Sequence, residues 1–194
     1  QKGYSTIVAI GSDRHINKIA SQIVDQRAVL GVVPLDSADI AQMVGVDDIK
    51  SACGALRFRK LNELDVAFIE PNKYFLTKAE IHTSGPTKIY FEIGSILAGR
   101  ANFTDLVITH DLDFYLEDKG IDTKSLKGII NWLFGRKPTV ISRSHFQGRR
   151  INIDTTQPLP ILVNGEVIAK TPAVFHLKAR ALRLIVARSK VTTP

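Results

Sequence analysis

The sequence has one cysteine, one tryptophan and one methionine among 194 residues. A lone Cys53 excludes a disulfide framework and a cysteine-based zinc cluster, and it reads as a small buried residue. Longer apolar runs are missing too. None approaches the roughly 20 residues that cross a bilayer, so no transmembrane helix is predicted. No basic, apolar and small-residue series marks a signal peptide, which makes the cytoplasm the default location. Aromatic residues are only 7% of the chain, and no aromatic-plus-basic motif of an RNA-binding sheet is present, so nucleic acid is not an expected partner. No internal repeat or low-complexity segment interrupts an ordinary globular composition.

Charge is unevenly distributed. Residues 1–118 hold 12 Lys/Arg against 16 Asp/Glu, a net −4. Residues 119–194 hold 14 Lys/Arg against 3 Asp/Glu, a net +11. Such asymmetry points the second part toward an anionic partner: phosphate groups, acidic lipid headgroups or, as the weaker option, nucleic acid; a lipid or anionic membrane surface would carry a peripheral membrane location as its corollary. The alternative is a solvated basic surface. Oligomeric state is not legible.

Thr6 to Ile10 is a continuous β-branched run and reads as a buried parallel strand. After a turn, Ile16, Ile19, Ala20 and Ile23 recur at helical spacing. Leu30 to Val33 is a second buried strand, and Ser37 or Asp39 caps a further helix through Val44. This alternation predicts a partial doubly wound parallel α/β domain over residues 1–50. From about residue 50 the pattern changes. Short strands are expected at Leu56–Arg59, Leu64–Ile69, Tyr74–Leu76, Lys88–Ile93 and Leu106–Ile108, with turns at Pro71-Asn72 and Ser84-Gly85-Pro86. One helix is expected over Ser125–Phe134. Strands resume at Thr139–Ile141, Arg150–Ile153, Ile161–Val163, Val174–Leu177 and Leu182–Ala187. Residues 51–194 therefore read as an antiparallel β-sandwich-like domain, whose last strand returns to the first domain. His110-Asp111-Leu112-Asp113, with Glu117 and Asp118, fits no metal-ligand spacing and reads as a solvated acidic loop. No metal site is predicted.

Two turns follow parallel strands and precede helices, where α/β sheets bind ligands and helix N-termini meet phosphate. The first is Gly11-Ser12-Asp13-Arg14-His15-Ile16-Asn17, and the second runs Pro34-Leu35-Asp36-Ser37-Ala38-Asp39-Ile40-Ala41. The first resembles Gly-Gly-Asp-Gly-Thr-Leu-Asn, the phosphate loop shared by diacylglycerol kinases, bacterial lipid kinases, sphingosine kinases and NAD kinases. The second is similar to the lipid kinases' Pro-Leu-Gly-Thr-Gly-Asn-Asp. Leu64-Asp65-Val66-Ala67 with Asn72 to Leu76 resembles the strand pair that opens the family's β-sandwich. Val163-Asn164-Gly165-Glu166 resembles its late Asp-Gly-Glu turn.

The resemblance implies a fold and a chemistry. It would make Gly11, Ser12, Asp13, Arg14, His15, Asn17, Asp36, Ser37 and Asp39 the holders of ATP phosphates with Mg²⁺. Asn164 and Glu166 would form the catalytic turn that deprotonates a lipid hydroxyl. The departures all weaken that chemistry. Ser12, Arg14 and His15 replace Gly, Gly and Thr. Asp36 and Ala38 replace both glycines of the second turn, and Asp36 adds negative charge beside anionic phosphates. Asn164 stands where the family has its general base, and an amide cannot accept that proton. Ala101 stands at a structural-metal Asp if Asp105-Leu106-Val107 matches the family's Leu-Asp-Val. The family has about two βα units before the first turn, where this chain has ten residues. Its first residue is Gln1, which suggests a start inside a larger domain. The expectation is a diacylglycerol kinase-like domain with phosphate transfer weakened or lost. The alternative is a non-catalytic relative binding lipid, nucleotide or a partner.

Overall fold

The structure, a computed structural model, describes residues 5–36, 38–95, 97–121 and 139–188. The expected helix at Ser125–Phe134 lies outside them. The chain opens with β1 (Thr6–Gly11), α1 (Asp13–Ile23), β2 (Val29–Pro34), α2 (Asp39–Val44) and α3 (Ile49–Phe58). An antiparallel run follows: β3 (Lys60–Ile69), β4 (Lys73–Phe75), β5 (Lys78–Ile93), β6 (Leu97–Thr109), β7 (Asp113–Ile121), β8 (Thr139–Gln147), β9 (Arg150–Thr155), β10 (Pro160–Val163), β11 (Glu166–Lys170) and β12 (Ala173–Val186). The fold is α/β plus a β-sandwich-like part, as the sequence pattern predicts.

β1 and β2 pair in parallel from Thr6↔Val29 to Gly11↔Pro34. β2 is buried along nearly its whole length, as a strand covered on both faces must be. α1 covers it with Ile16, Ala20 and Ile23, spaced four and three apart. α3 covers the opposite face. Its start is fixed by a capping box: Asp48 accepts from Ser51 N at 2.6 Å, and Ser51 Oγ accepts from Asp48 N at 3.0 Å. A Cβ at Gly31 would meet Leu56 Cδ2 at 2.4 Å, so the bare glycine in β2 lets α3 lie close.

Several local expectations are corrected. Leu56–Arg59 is not a strand but the last turn of α3 with its left-handed cap at Arg59, φ 51°. The buried face of α3 is Ala52 and Ala55, and alanine gives little hydrophobic periodicity to read. Cys53 is exposed, because α3 turns it away from that face. Ser84-Gly85-Pro86 is a bulge inside β5, not a turn between strands. β5 keeps β6 as its partner on both sides, with a register shift between His82 and Thr87, and the Thr83 and Thr87 hydroxyls donate to Gly85 O. The acidic stretch is no loop beyond residue 112. Asp113, Glu117 and Asp118 lie on β7, where His145 and Arg143 of β8 meet Asp113 and Glu117 at 3.2 and 2.7 Å. Val174–Leu177 and Leu182–Ala187 are parts of one strand, β12, with an irregularity between Lys178 and Leu182.

β12 joins the halves. Its first part pairs antiparallel with β9, its later part parallel with β2, and β3 runs beside both. One hydrophobic cluster gathers β1, β2, the three helices and Ala181 to Val186; a second gathers the antiparallel strands around Phe75, Phe103, Phe114 and Phe175. The later part of β12 thus lies beside β2, at Arg183↔Val29 and Leu184↔Leu30. Among the described residues no helix is long and apolar enough to cross a membrane.

Leu184 is 1% exposed inside the first cluster, opposite β2. Leu184→Ala should cost about 2–5 kcal/mol of unfolding free energy in urea denaturation; a loss below about 1 kcal/mol would contradict the role of β12 as the shared core strand. A second expectation concerns acid. The hydrogen bond from Lys119 Nζ at 2.7 Å, helped by His82 and Thr104, holds the Asp105 carboxyl down to about 2 against the opposing effect of burial. A carboxyl depressed in the fold stabilises above its unfolded pKa of about 3.9 and loses that contribution as pH falls toward 2. Asp105→Asn should lower stability at neutral pH and flatten its decline between about pH 4 and 2. An unchanged acid limb would show that Asp105 does not set it.

Candidate active site

The carboxyl ends of β1 and β2 lie side by side, which places the first two turns next to each other. Gly11 ends β1 at φ 147°, and Leu35 N donates to its carbonyl at 2.8 Å, locking the start of the second turn to the end of the first strand. A Cβ at Gly11 would meet His15 Cδ2 at 3.2 Å, so the imidazole sits close against the glycine backbone.

Asp13 is the strongest link between the turns. Its carboxylate accepts from Ile40 N at 3.1 Å and Asp39 N at 3.3 Å. It therefore serves the start of α2, whose own N-cap Ala38 has no side chain to do so. Ser12 precedes α1 without a side-chain cap bond. Asp36 is exposed with a left-handed φ of 52°, a conformation that glycine adopts with less strain. Ser37 lies outside the described residues.

The late turn comes to the same place by a different route. β10 pairs with β5 at Val163↔Ala79, and β10–β11 is a two-residue hairpin. Asn164 and Gly165 both have positive φ, 50° and 76°, the requirement of the Asn-Gly hairpin turn. Asn164 Oδ1 accepts from Thr77 Oγ1 at 3.0 Å, while its Nδ2 is buried without a hydrogen-bond partner. One residue earlier, Leu76 N donates to Asn17 Oδ1 at 2.7 Å. Leu76-Thr77 thus bridges α1 and the late turn. Glu166 Oε2 meets Arg14 Nε at 3.0 Å, 152 residues apart in sequence. Both side chains are about half exposed or more, so the pair contributes little stability, but it joins the two turns directly.

Asp13, Arg14, Asn17, Asp39, Asn164 and Glu166 are therefore gathered into one constellation. Thr77, buried at 4% exposure, is the member sequence reading missed. Its position after the Asn72–Leu76 segment was the available signal. Beside the constellation lies a cleft of about 390 Å³ between α2, residues 76–78 and the β6–β7 turn. Asp39, Asp111 and Asp113 line it, against Lys78 as its cation. Lys78 is itself bound to Glu80 at 3.0 Å, and that hydrogen bond raises its pKa.

The fit to the phosphates of ATP is poor. Arg14, the cation of the first turn, is held by Glu166, and the neighbouring cleft carries more carboxylates than cations. No group of three His, Cys, Asp or Glu side chains able to hold a metal ion occurs among the described residues.

No family model matches the sequence, and no curated protein matches it. Solved structures do. A diacylglycerol kinase from Bacillus anthracis str. Sterne superposes with a TM-score of 0.71 at 15% identity, over 96% of this chain and 78% of that one. Another Bacillus anthracis structure reaches a TM-score of 0.76 at 13% identity, over 96% and 79%. An NAD kinase from Archaeoglobus fulgidus, solved in complex with ATP, superposes with a TM-score of 0.60 at 7% identity, over 95% and 79%. With strands, turns and hairpin arranged as they are, this chain has the fold shared by diacylglycerol kinases and NAD kinases.

Proposed function

We propose that this chain is a diacylglycerol kinase-like domain in which phosphate transfer from ATP to a lipid hydroxyl is weak or lost, the kinase fold being kept for binding. The observation that carries this reading is the state of Asn164. Its amide oxygen accepts from Thr77 and its nitrogen can only donate, so Asn164 cannot take a hydroxyl proton. Glu166, the other candidate, is engaged with Arg14. A general base is worth about 10²–10⁴-fold in rate. The acid-lined cleft adds a second penalty, because phosphoryl transfer depends on positioning and on neutralising charge.

The binding partner we propose is an anionic lipid surface. The support is the net +11 of residues 119–194 and the exposed Arg149, Arg150, Lys170, Arg180 and Arg188. Basic residues near an anionic membrane contribute about 1 kcal/mol each, and salt screens them.

Transfer of radiolabelled phosphate from ATP to diacylglycerol in mixed micelles should be absent for this chain, and Asn164→Asp alone should not restore it, since Asp36 and the Arg14–Glu166 pair remain. Clear turnover of the unmodified chain, abolished by Asp13→Ala, would establish it as a working kinase. In co-sedimentation, binding to liposomes should rise with the fraction of acidic lipid and fall with salt. Equal binding to neutral and acidic liposomes would sink the membrane assignment.

A further inference from the structure

A second concave region lies away from the kinase-like site. It is a groove of about 1500 Å³ on one face of the antiparallel strands β4, β3, β12, β9, β5 and β6. Aromatic groups stand near its two ends. At one, Phe68 stacks on His176 with ring centroids 5.2 Å apart and 19° between planes, and Tyr74 lies 5.3 Å from Phe68. At the other, Tyr90 is 38% exposed with the Arg100 guanidinium 5.0 Å over its ring. β3 and β5 are three strand spacings apart, and Tyr90 lies four residues along the strands from the row of Phe68 and His176, so the shelves stand diagonally about 20 Å from each other.

Asn152 of β9 sits between them, registered with Val174 on one side and Glu92 on the other. Its Nδ2 donates to Glu92 Oε2 at 2.9 Å. A carboxylate only accepts, which fixes the turn of the amide. Asn152 Oδ1 is then left buried with no hydrogen-bond partner in a groove-lining residue. A buried acceptor without a donor is costly, and a bound ligand that donates would relieve it.

Charge decides what kind of ligand. The groove carries Glu70, Glu92 and Asp154 against Arg100, Lys170 and Lys178, three of each sign. A balanced lining has no net field for a phosphate, a carboxylate or a cation. It does present alternating donors and acceptors between aromatic faces. A hydroxyl both donates and accepts, and a sugar ring has an apolar face to lay on an aromatic one.

We propose that this groove binds a short neutral oligosaccharide, lying across the strands from Phe68 to Tyr90 with a hydroxyl donated to Asn152 Oδ1. The assignment is independent of the kinase-like site. The test is binding of the full chain to an array of neutral oligosaccharides (glucans, mannans, galactans and N-acetylglucosamine oligomers), with sulfated and sialylated glycans alongside. At least one neutral series should bind. Tyr90→Ala and Phe68→Ala should each weaken it about tenfold, the scale of one lost aromatic contact. Asn152→Leu should weaken it as well, and thermal melting should show each variant folded. Tyr90 is at the surface, so Tyr90→Ala decides the matter if Phe68→Ala fails to fold. No neutral binding at millimolar sugar, unchanged affinity in folded Tyr90→Ala, or preference for the anionic glycans would each overturn the assignment. Displacement of the sugar by diacylglycerol-containing vesicles would reassign the groove to lipid and also overturn it.

Discussion

β12 is the strand on which the rest depends. It must satisfy three partners with two directions of pairing: β9 and β3 antiparallel, β2 parallel. Its irregularity between Lys178 and Leu182, with Arg180 at φ 49°, is where it passes from one set of neighbours to the other. Arg180 N donates to Asp65 Oδ1 there at 2.8 Å, so β3 supplies the amide's partner where the ladder breaks. Because Ala173 and Phe175 belong to one core and Leu182 to Val186 to the other, neither core closes without this strand.

That arrangement also builds the site. The parallel pair β1–β2 fixes where the first two turns lie, while the antiparallel strands carry the late hairpin to them. Short polar contacts complete the meeting, Asn17 to Leu76, Thr77 to Asn164 and Arg14 to Glu166, while Leu76 packs into the same apolar cluster as α1. Asp13 ties the first turn to the second, since its carboxylate completes the start of α2. A substitution there would disturb the second turn together with the first.

The electrostatics of the two concave regions differ in kind. The small cleft near the turns is acid-rich, whereas the large groove across the sheet is balanced. In the stretch that looks so acidic in sequence, Glu117 of β7 pairs with Arg143 of β8, and Asp113 lies against His145. Strand pairing thus brings one cation of the basic second part, Arg143, against a carboxylate of the acidic first part, Glu117.

What the sequence settled by itself was local or strongly patterned. Thr6–Ile10 and Leu30–Val33 are continuous apolar runs, α1 has a clear helical stripe, and Asn164-Gly165 has few backbone options besides a tight hairpin. Motif order across the chain was enough to indicate the kinase-type fold. The remainder rested on contacts between residues far apart in the chain. α3 hid behind an alanine face whose burial exists only because Gly31 of β2 admits it, and Cys53 is exposed by the same packing. Thr77 matters only because β10 is registered on β5. Arg14 meets Glu166, and Phe68 shares a groove with Tyr90, only once β12 and β9 have set the strands between them. Those are tertiary decisions, since the sequence records each residue's chemistry but not which distant backbone will be its neighbour.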